Sequence, residues 1–148
     1  MLDRLKTLLA LTFLSIAPVA HAQQAVDIEA FALKFIEAEK AAWEKGDFEA
    51  LEALEHADVM FQNINGTVFR GWEAHKQAIE DAKASYNAPL TQEWRYLMGD
   101  GNIFAVAYEW TIHSTDQPLV IAGIAVGRVE DGRLKEEWGA GYTVAPGP

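Results

Sequence analysis

Phe104, Val106, Tyr108, Trp110 and Ile112 alternate with Ala105, Ala107, Glu109, Thr111 and His113, the period of two that sends successive side chains to opposite faces of a β-strand. The run from Ile103 to His113 therefore has one large apolar face that needs a cover. Ser114-Thr115-Asp116-Gln117-Pro118 leads into a second run, Leu119 to Glu130, and Asp131-Gly132 turns into a third, Leu134 to Trp138. Connections this short force antiparallel pairing, so the three runs predict a meander. In the second run Val120, Ala122, Ile124 and Val126 share one face, while Ile121, Gly123, Ala125 and Gly127 share the other. Both faces are apolar, which predicts a covering body, such as a second subunit, on the side away from any helices.

Upstream the period lengthens to that of a helix. Ile28, Phe31, Phe35, Ala38, Ala42 and Trp43 recur at helical spacing, with Asp27 placed to cap and Gly46 to end a helix over Val26 to Lys45. Asp47 opens a shorter helix to about His56, with Phe48, Leu51 and Leu54 inward, and the tight Lys45-Gly46-Asp47 link makes the pair a hairpin. Val59 to Ile64 reads as a strand, and Asn65-Gly66 as a turn into Thr67 to Arg70. Trp72, His75, Ile79, Ala82 and Tyr86 line one face of a third helix from Gly71 to about Tyr86. Thr91 to Met98 is another strand, with Trp94, Tyr96 and Met98 expected on one side and Glu93, Arg95 and Leu97 on the other. The order ααββαββββ predicts an α+β domain, three helices packed on one face of a curved, mostly antiparallel sheet.

The N-terminus adds a compartment. Arg4 and Lys6 precede an apolar stretch from Thr7 to Ala20 that ends in Ala20-His21-Ala22, the pattern of a secretory signal peptide over residues 1–22 with cleavage after Ala22. About 14 apolar residues fall short of the roughly 20 that cross a bilayer, so the mature protein is expected free of the membrane, periplasmic or secreted. What remains, residues 23–148, is the size of one domain with one core. There is no Cys, which removes disulfides, thiolate metal sites and cysteine nucleophiles. The sequence carries 12 basic and 22 acidic residues; losing Asp3, Arg4 and Lys6 with the signal leaves 10 and 21, a net charge of −11. A surface so acidic is a poor partner for a phosphate backbone, so no nucleic acid is expected.

The segments Ala42-Trp43-Glu44-Lys45-Gly46-Asp47-Phe48-Glu49-Ala50-Leu51, Asp58-Val59-Met60-Phe61, Gly66-Thr67-Val68-Phe69-Arg70-Gly71, and Gly127-Arg128-Val129-Glu130-Asp131-Gly132-Arg133-Leu134 with Glu137-Trp138 resemble the nuclear transport factor 2-like superfamily, in its SnoaL-like branch. The likeness covers nearly all of the mature chain. It implies a cystatin-like cone, in which the curved sheet wraps the first helix around a pocket, and dimerisation through the outer sheet face. It does not imply one chemistry, because the superfamily includes isomerases, dehydratases, cyclases, epoxide hydrolases and proteins with none. In the ketosteroid isomerase-like pattern the carboxylate base falls on Asn63, the oxyanion-hole tyrosine on Glu39 and the second acid near Ala125. All three depart from the pattern, which speaks against that reaction.

The residues leave two proton carriers open. Glu39 lies at the edge of the first helix's apolar stripe: facing the pocket it is a general acid or base with a raised pKa, and facing out it is one more solvated charge among Glu37, Lys40 and Glu44. His75 shares the stripe of Trp72, Ile79 and Tyr86, as a proton carrier or as a packed core histidine. His56, His75 and His113 lack short ligand spacing, so no metal site is expected, and no phosphate loop or cofactor motif occurs. Trp43, Phe61, Asn63, Trp94, Tyr96, Tyr108, Trp110 and Trp138 are the expected ligand-binding set; the same aromatics could equally fill the cone. The function expected is therefore binding of a small, mostly apolar molecule in the cone. The alternatives are an isomerase, dehydratase or cyclase using Glu39 or His75 for proton transfer, and a dimeric interaction domain without a ligand.

Overall fold

The computed structural model describes residues 26–114 and 117–144. The expected signal segment lies outside the described residues. The elements run α1 (Ile28–Lys45), α2 (Glu49–Leu54), β1 (Glu55–Gln62), β2 (Val68–Arg70), α3 (Trp72–Tyr86), β3 (Leu90–Asp100), β4 (Ile103–Ile112), β5 (Leu119–Glu130) and β6 (Arg133–Val144). That is the predicted order. One six-stranded sheet carries them in the spatial order β2-β1-β6-β5-β4-β3, antiparallel throughout except where β1 runs parallel to β6. No described helix is long and apolar enough to cross a membrane.

α1 starts where Asp27 accepts the Ala30 N–H at 3.1 Å and ends at Gly46, left-handed at φ 74°, whose N–H bonds the Ala42 carbonyl at 3.0 Å. Its apolar stripe lies on the concave face of the sheet: Phe35 meets Phe104 at 5.8 Å between ring centroids, and Trp43 meets Trp110 at 4.6 Å. The Phe104, Val106, Tyr108, Trp110, Ile112 row is buried along its whole length. Glycine makes that possible on the neighbouring strand. A Cβ on Gly123 would lie 2.5 Å from the Tyr108 hydroxyl, and one on Gly127 would lie 2.3 Å from the Phe104 ring. Both aromatic rings lean into space that any other residue would occupy.

Three local expectations are corrected. α2 stops at Leu54, so His56 belongs to a strand and not to a helix C-terminus. Glu55 is already extended (φ −94°, ψ 149°) and paired with Leu134 of β6, a tertiary contact that short-range pattern does not contain. In β3 the register against β4 shifts between Trp94 and Tyr96, so Arg95 is an extra residue in the ladder. Trp94 keeps its place opposite Tyr108, while Tyr96 and Met98 pass to the outer face, Tyr96 74% exposed. In β6 the partners of Arg128 and Val129 are Glu136 and Leu134, which leaves Lys135 as a second bulge. Leu134 and Glu137 are both buried, and Trp138 turns outward opposite Val126. Tyr96 and Trp138 are thus removed from the concave set by one inserted residue each.

The convex face behaves as the two-sided pattern of β5 suggested. Ile124, 53% exposed, is flanked by Ala107 of β4 and Ala140 of β6, with Met98 and Tyr142 exposed on the same side. Charges gather toward the ends of this face: Arg95 pairs with Glu93 and Glu109, and Arg128 with Glu130 and Glu136.

Candidate functional site

The inner end of the cone brings four ionisable side chains from four elements into one sealed region. Glu39 comes from α1, Glu55 from β1, His75 from α3 and Glu137 from β6. All are at most 3% exposed. Three of them are placed by their own elements, and Glu55 by the pairing of β1 with Leu134 of β6. Glu39 sits one turn before Trp43 on the buried stripe, His75 follows Trp72 on the inward face of α3, and Glu137 is turned in by the Lys135 bulge.

Within this set His75 and Glu55 form a closed pair, with Nδ1 to Oε1 at 2.8 Å. The imidazole stacks on Phe61, 4.1 Å between centroids and 23° between planes, and meets Trp72 edge-on. His75 Nε2 and Glu55 Oε2 make no hydrogen bond. Packed this way, His75 holds α3 to β1 and does not reach the cavity.

Glu39 and Glu137 do reach it. They line a cavity with Phe61, Asn63, Ile64, Trp94, Tyr108, Trp110, Ala125 and Gly139. The three positions singled out by the family pattern, Glu39, Asn63 and Ala125, are therefore together on one wall system. Tyr108 is central, packed edge-on by Trp94 at 5.7 Å and tilted against Trp110 at 5.4 Å. The enclosed volume is about 20 Å³, space for roughly one water. Anything larger must displace a side chain, and Asn63 and Ile64, on the turn after β1, are parts of the wall outside regular structure.

The electrostatics follow from this burial. Loss of solvent raises Glu39 from the ordinary carboxylate range to about 7; His75 lowers it, the Glu55 carboxylate raises it, and the Trp43 indole lowers it slightly. The Trp43 N–H approaches without reaching hydrogen-bond geometry. Burial likewise pushes Glu137 well up, with Glu39 and Glu55 adding to the rise. The same causes, burial first and then Glu39 and Glu137, keep the Tyr108 hydroxyl protonated. Two carboxyl groups facing one cavity, with Glu39 adding to the rise of Glu137, cannot both ionise easily. Near neutral pH the pair holds on to a proton while retaining a base.

Of the expected ligand-binding residues, Phe61, Asn63, Trp94, Tyr108 and Trp110 line this cavity, and Trp43 backs it through Trp110. Asn63 turns its Oδ1 onto the Ile64 N–H at 2.6 Å, which shapes the turn at the mouth. Tyr96 instead borders an open cleft of about 550 Å³ between α1 and β3, with Glu37, Lys40 and Arg95. His113 bonds Thr91 Oγ1 at the surface, 3.0 Å away. Among the described residues, no group of three His, Asp or Glu side chains has metal-binding geometry.

Glu55 and Glu137 were not anticipated. Glu137 carried a usable signal, since it sits between Trp138 and Glu136 on a strand and one of two adjacent acids must face inward. Glu55 carried none, because its region read as a helix end.

No curated protein matches the chain significantly in sequence. Solved structures do match in shape. The chain is similar to an LEH-like epoxide hydrolase from M. tuberculosis, with TM-score 0.63, 16% identity, and 77% of this chain and 84% of that one covered. It is similar to Bal32a, from a soil-derived mobile gene cassette, with TM-score 0.67, 12% identity, and coverage of 78% and 92%. A third is a protein of ketosteroid isomerase-like fold from Catenulispora acidiphila in complex with trimethylamine, with TM-score 0.61, 15% identity, and coverage of 72% and 83%. At these identities the likeness is one of fold, the nuclear transport factor 2-like cone. The SnoaL-like domain model matches residues 34–137, more than half of the chain, and this protein belongs to the SnoaL-like domain family.

Proposed function

We propose that the protein takes a small, mostly apolar molecule into the cone and moves a proton on it, with Glu39 and Glu137 as the working pair. One observation carries this: two buried carboxyl groups of raised pKa line the same aromatic cavity, with no Lys or Arg in its lining among the described residues. A buried carboxyl tuned to about 7 is matched to acid–base work at physiological pH. In the productive state ionised Glu39 accepts a proton from a substrate C–H or an attacking water. Protonated Glu137 donates one to the oxygen that gains charge, and exchange with solvent restores the pair. Tyr108 and Asn63 supply further polar contacts, and Trp94, Trp110 and Phe61 supply contact area. The description of structural neighbours as an epoxide hydrolase and as an amine complex supports a reactive or bound small molecule in such a cone.

The test is turnover of a panel of small epoxides, enones and hydroxy ketones, with Glu39→Gln and Glu137→Gln beside the unaltered protein. A general acid–base contribution is worth about 10²–10⁴-fold, so each variant is expected to lose roughly that much kcat while remaining folded. Turnover unchanged in both variants would remove the carboxyl pair from the chemistry. Native mass spectrometry of the purified protein addresses binding without turnover: a retained small molecule, released by unfolding, favours that simpler reading.

The outer face supports a second, separate reading, a homodimer formed through the sheet. Exposed Met98, Ile124 and Tyr142 with small residues between them make a contiguous apolar surface of the kind that marks an interface. Export of the mature chain to the periplasm or medium remains part of the proposal and is tested by N-terminal sequencing of the secreted protein.

A further inference from the structure

The acid–base reading leaves the substrate class open, and the cavity itself narrows it. We infer that the cone accepts a small aliphatic ammonium ion, held between the Glu39 and Glu137 carboxylates and the rings of Trp94, Tyr108 and Trp110. This rests on the same cavity as the proposed function and names its guest; binding of the cation releases the Glu137 proton to solvent, so that both carboxyl groups are ionised around it.

Charge is the first ground. Glu39, Glu55 and Glu137 are sealed in one region with His75 as the sole basic side chain among the described residues there, and no Lys or Arg lines the cavity. His75 is already committed to Glu55. Glu137 keeps Oε2 without a hydrogen bond at 3% exposure while its side chain borders the cavity. With Glu137 ionised, a neutral apolar guest would leave that oxygen unpaired, a cost set by its full desolvation. A cation with N–H donors satisfies it and offsets the repulsion that keeps the two carboxyl groups from ionising together.

The aromatic wall is the second ground, independent of the acids. Trp94, Tyr108, Trp110 and Phe61 crowd one cavity, and an aromatic ring attracts an alkylated ammonium group placed over its face. Carboxylate and indole together are the recognition chemistry of an organic cation. The small enclosed volume sets the scale: the amino head enters, and an alkyl tail lies toward Ile64 and the turn after β1.

Among the described residues the ionisable groups facing the guest are Glu39 from α1, Tyr108 from β4 and Glu137 from β6 directly, with Glu55 from β1 and His75 from α3 behind them. Since Tyr108 stays protonated, the pH dependence belongs to the carboxyl groups.

The experiment is a titration of the full chain with methylammonium chloride, followed through the tryptophan indole N–H signals in 1H–15N spectra. Methanol serves as the size-matched neutral probe and sodium chloride as the ionic-strength control. Trp94 and Trp110 are expected to shift, with Trp138, on the outer face, unmoved. The alkylamine stays charged below its lysine-like pKa of about 10.4, so any pH dependence reports the protein. Methylammonium is expected to bind at least about ten-fold tighter than methanol near pH 8. Titration of Glu39 near 7 weakens that affinity about ten-fold on going to about pH 6. Glu39→Gln and Glu137→Gln are each expected to erase the preference for the cation while the methanol response persists. Methylammonium no tighter than methanol, or an affinity indifferent to pH, overturns the ammonium assignment and leaves the acid–base site intact as one for neutral substrates. Indole signals indifferent to both probes overturn the cone as a ligand site, and both readings with it.

Discussion

Nδ1 of His75 lies 2.8 Å from Oε1 of Glu55, joining α3 to β1 through side chains that are 1% and 0% exposed. The pair is shielded by Phe61 and Trp72 and faces no bulk water. It supports the site without belonging to the cavity wall, and its energetics follow from that isolation.

Removing one member strands the other in a dry interior. Glu55→Leu is expected to cost about 3–5 kcal/mol in urea unfolding, the usual penalty for breaking a buried polar pair from one side. The double variant Glu55→Leu/His75→Phe is expected to be more stable than Glu55→Leu, because two apolar groups leave nothing unsatisfied. A double variant that loses the sum of the two singles would show the pair uncoupled.

The raised carboxyl pair gives stability an unusual pH slope. Glu39 has a folded pKa of about 7 against an ordinary 4.5, so the stability linked to its neutral form is full below about 4.5 and lost as pH rises through about 7. Glu137, raised in the same direction by burial, adds to the loss. At one pKa unit per about 1.4 kcal/mol, Glu39 alone accounts for roughly 3 kcal/mol. The difference between the protein and Glu39→Gln, measured by denaturant unfolding across that range, is expected to move by about this amount in favour of the variant as pH increases. A flat difference would mean that Glu39 is hydrated in solution.

Gly123 is held glycine by its neighbours. An added Cβ would meet the Ala140 carbonyl oxygen at 2.4 Å and the Tyr108 hydroxyl at 2.5 Å. Gly123→Ala is expected to cost about 1–3 kcal/mol as overpacking and to tilt Tyr108 into the cavity. Thermal melts and near-ultraviolet circular dichroism read the two effects, and an unchanged aromatic spectrum would argue against the close approach.

For the outer face, sedimentation velocity is expected to give a dimer for the unaltered protein and a monomer for Ile124→Lys, with the same fold by far-ultraviolet dichroism. Ile124 is the exposed centre of that surface, where a desolvated lysine would go unpaired. A monomer at the outset would leave the convex face for another partner.

The order of elements was legible because hydrophobic period and turn residues are local: Asp27 and Gly46 bound α1, and the alternation from Phe104 to Ile112 identified the concave row. The cone followed, and Phe61, Asn63, Trp94, Tyr108 and Trp110 line its cavity. Tyr96 and Trp138 failed for one physical reason. A period of two carries phase from residue to residue, and a single bulge at Arg95 or Lys135 reverses everything beyond it.

By itself, then, the chain's pattern determined which segments are helix and strand, which face of each is apolar, and that acidic side chains outnumber basic ones. Only the tertiary structure decided which acids are dry. Glu39, Glu55 and Glu137 come from segments far apart in sequence; the pattern left Glu39 between pocket and solvent, gave Glu137 only the alternation of its strand, and made Glu55 look like a glutamate at a helix end. Burial and mutual repulsion arise only when α1, β1, α3 and β6 close on one another. Those long-range terms, which no local period encodes, turn three glutamates and a histidine into a site.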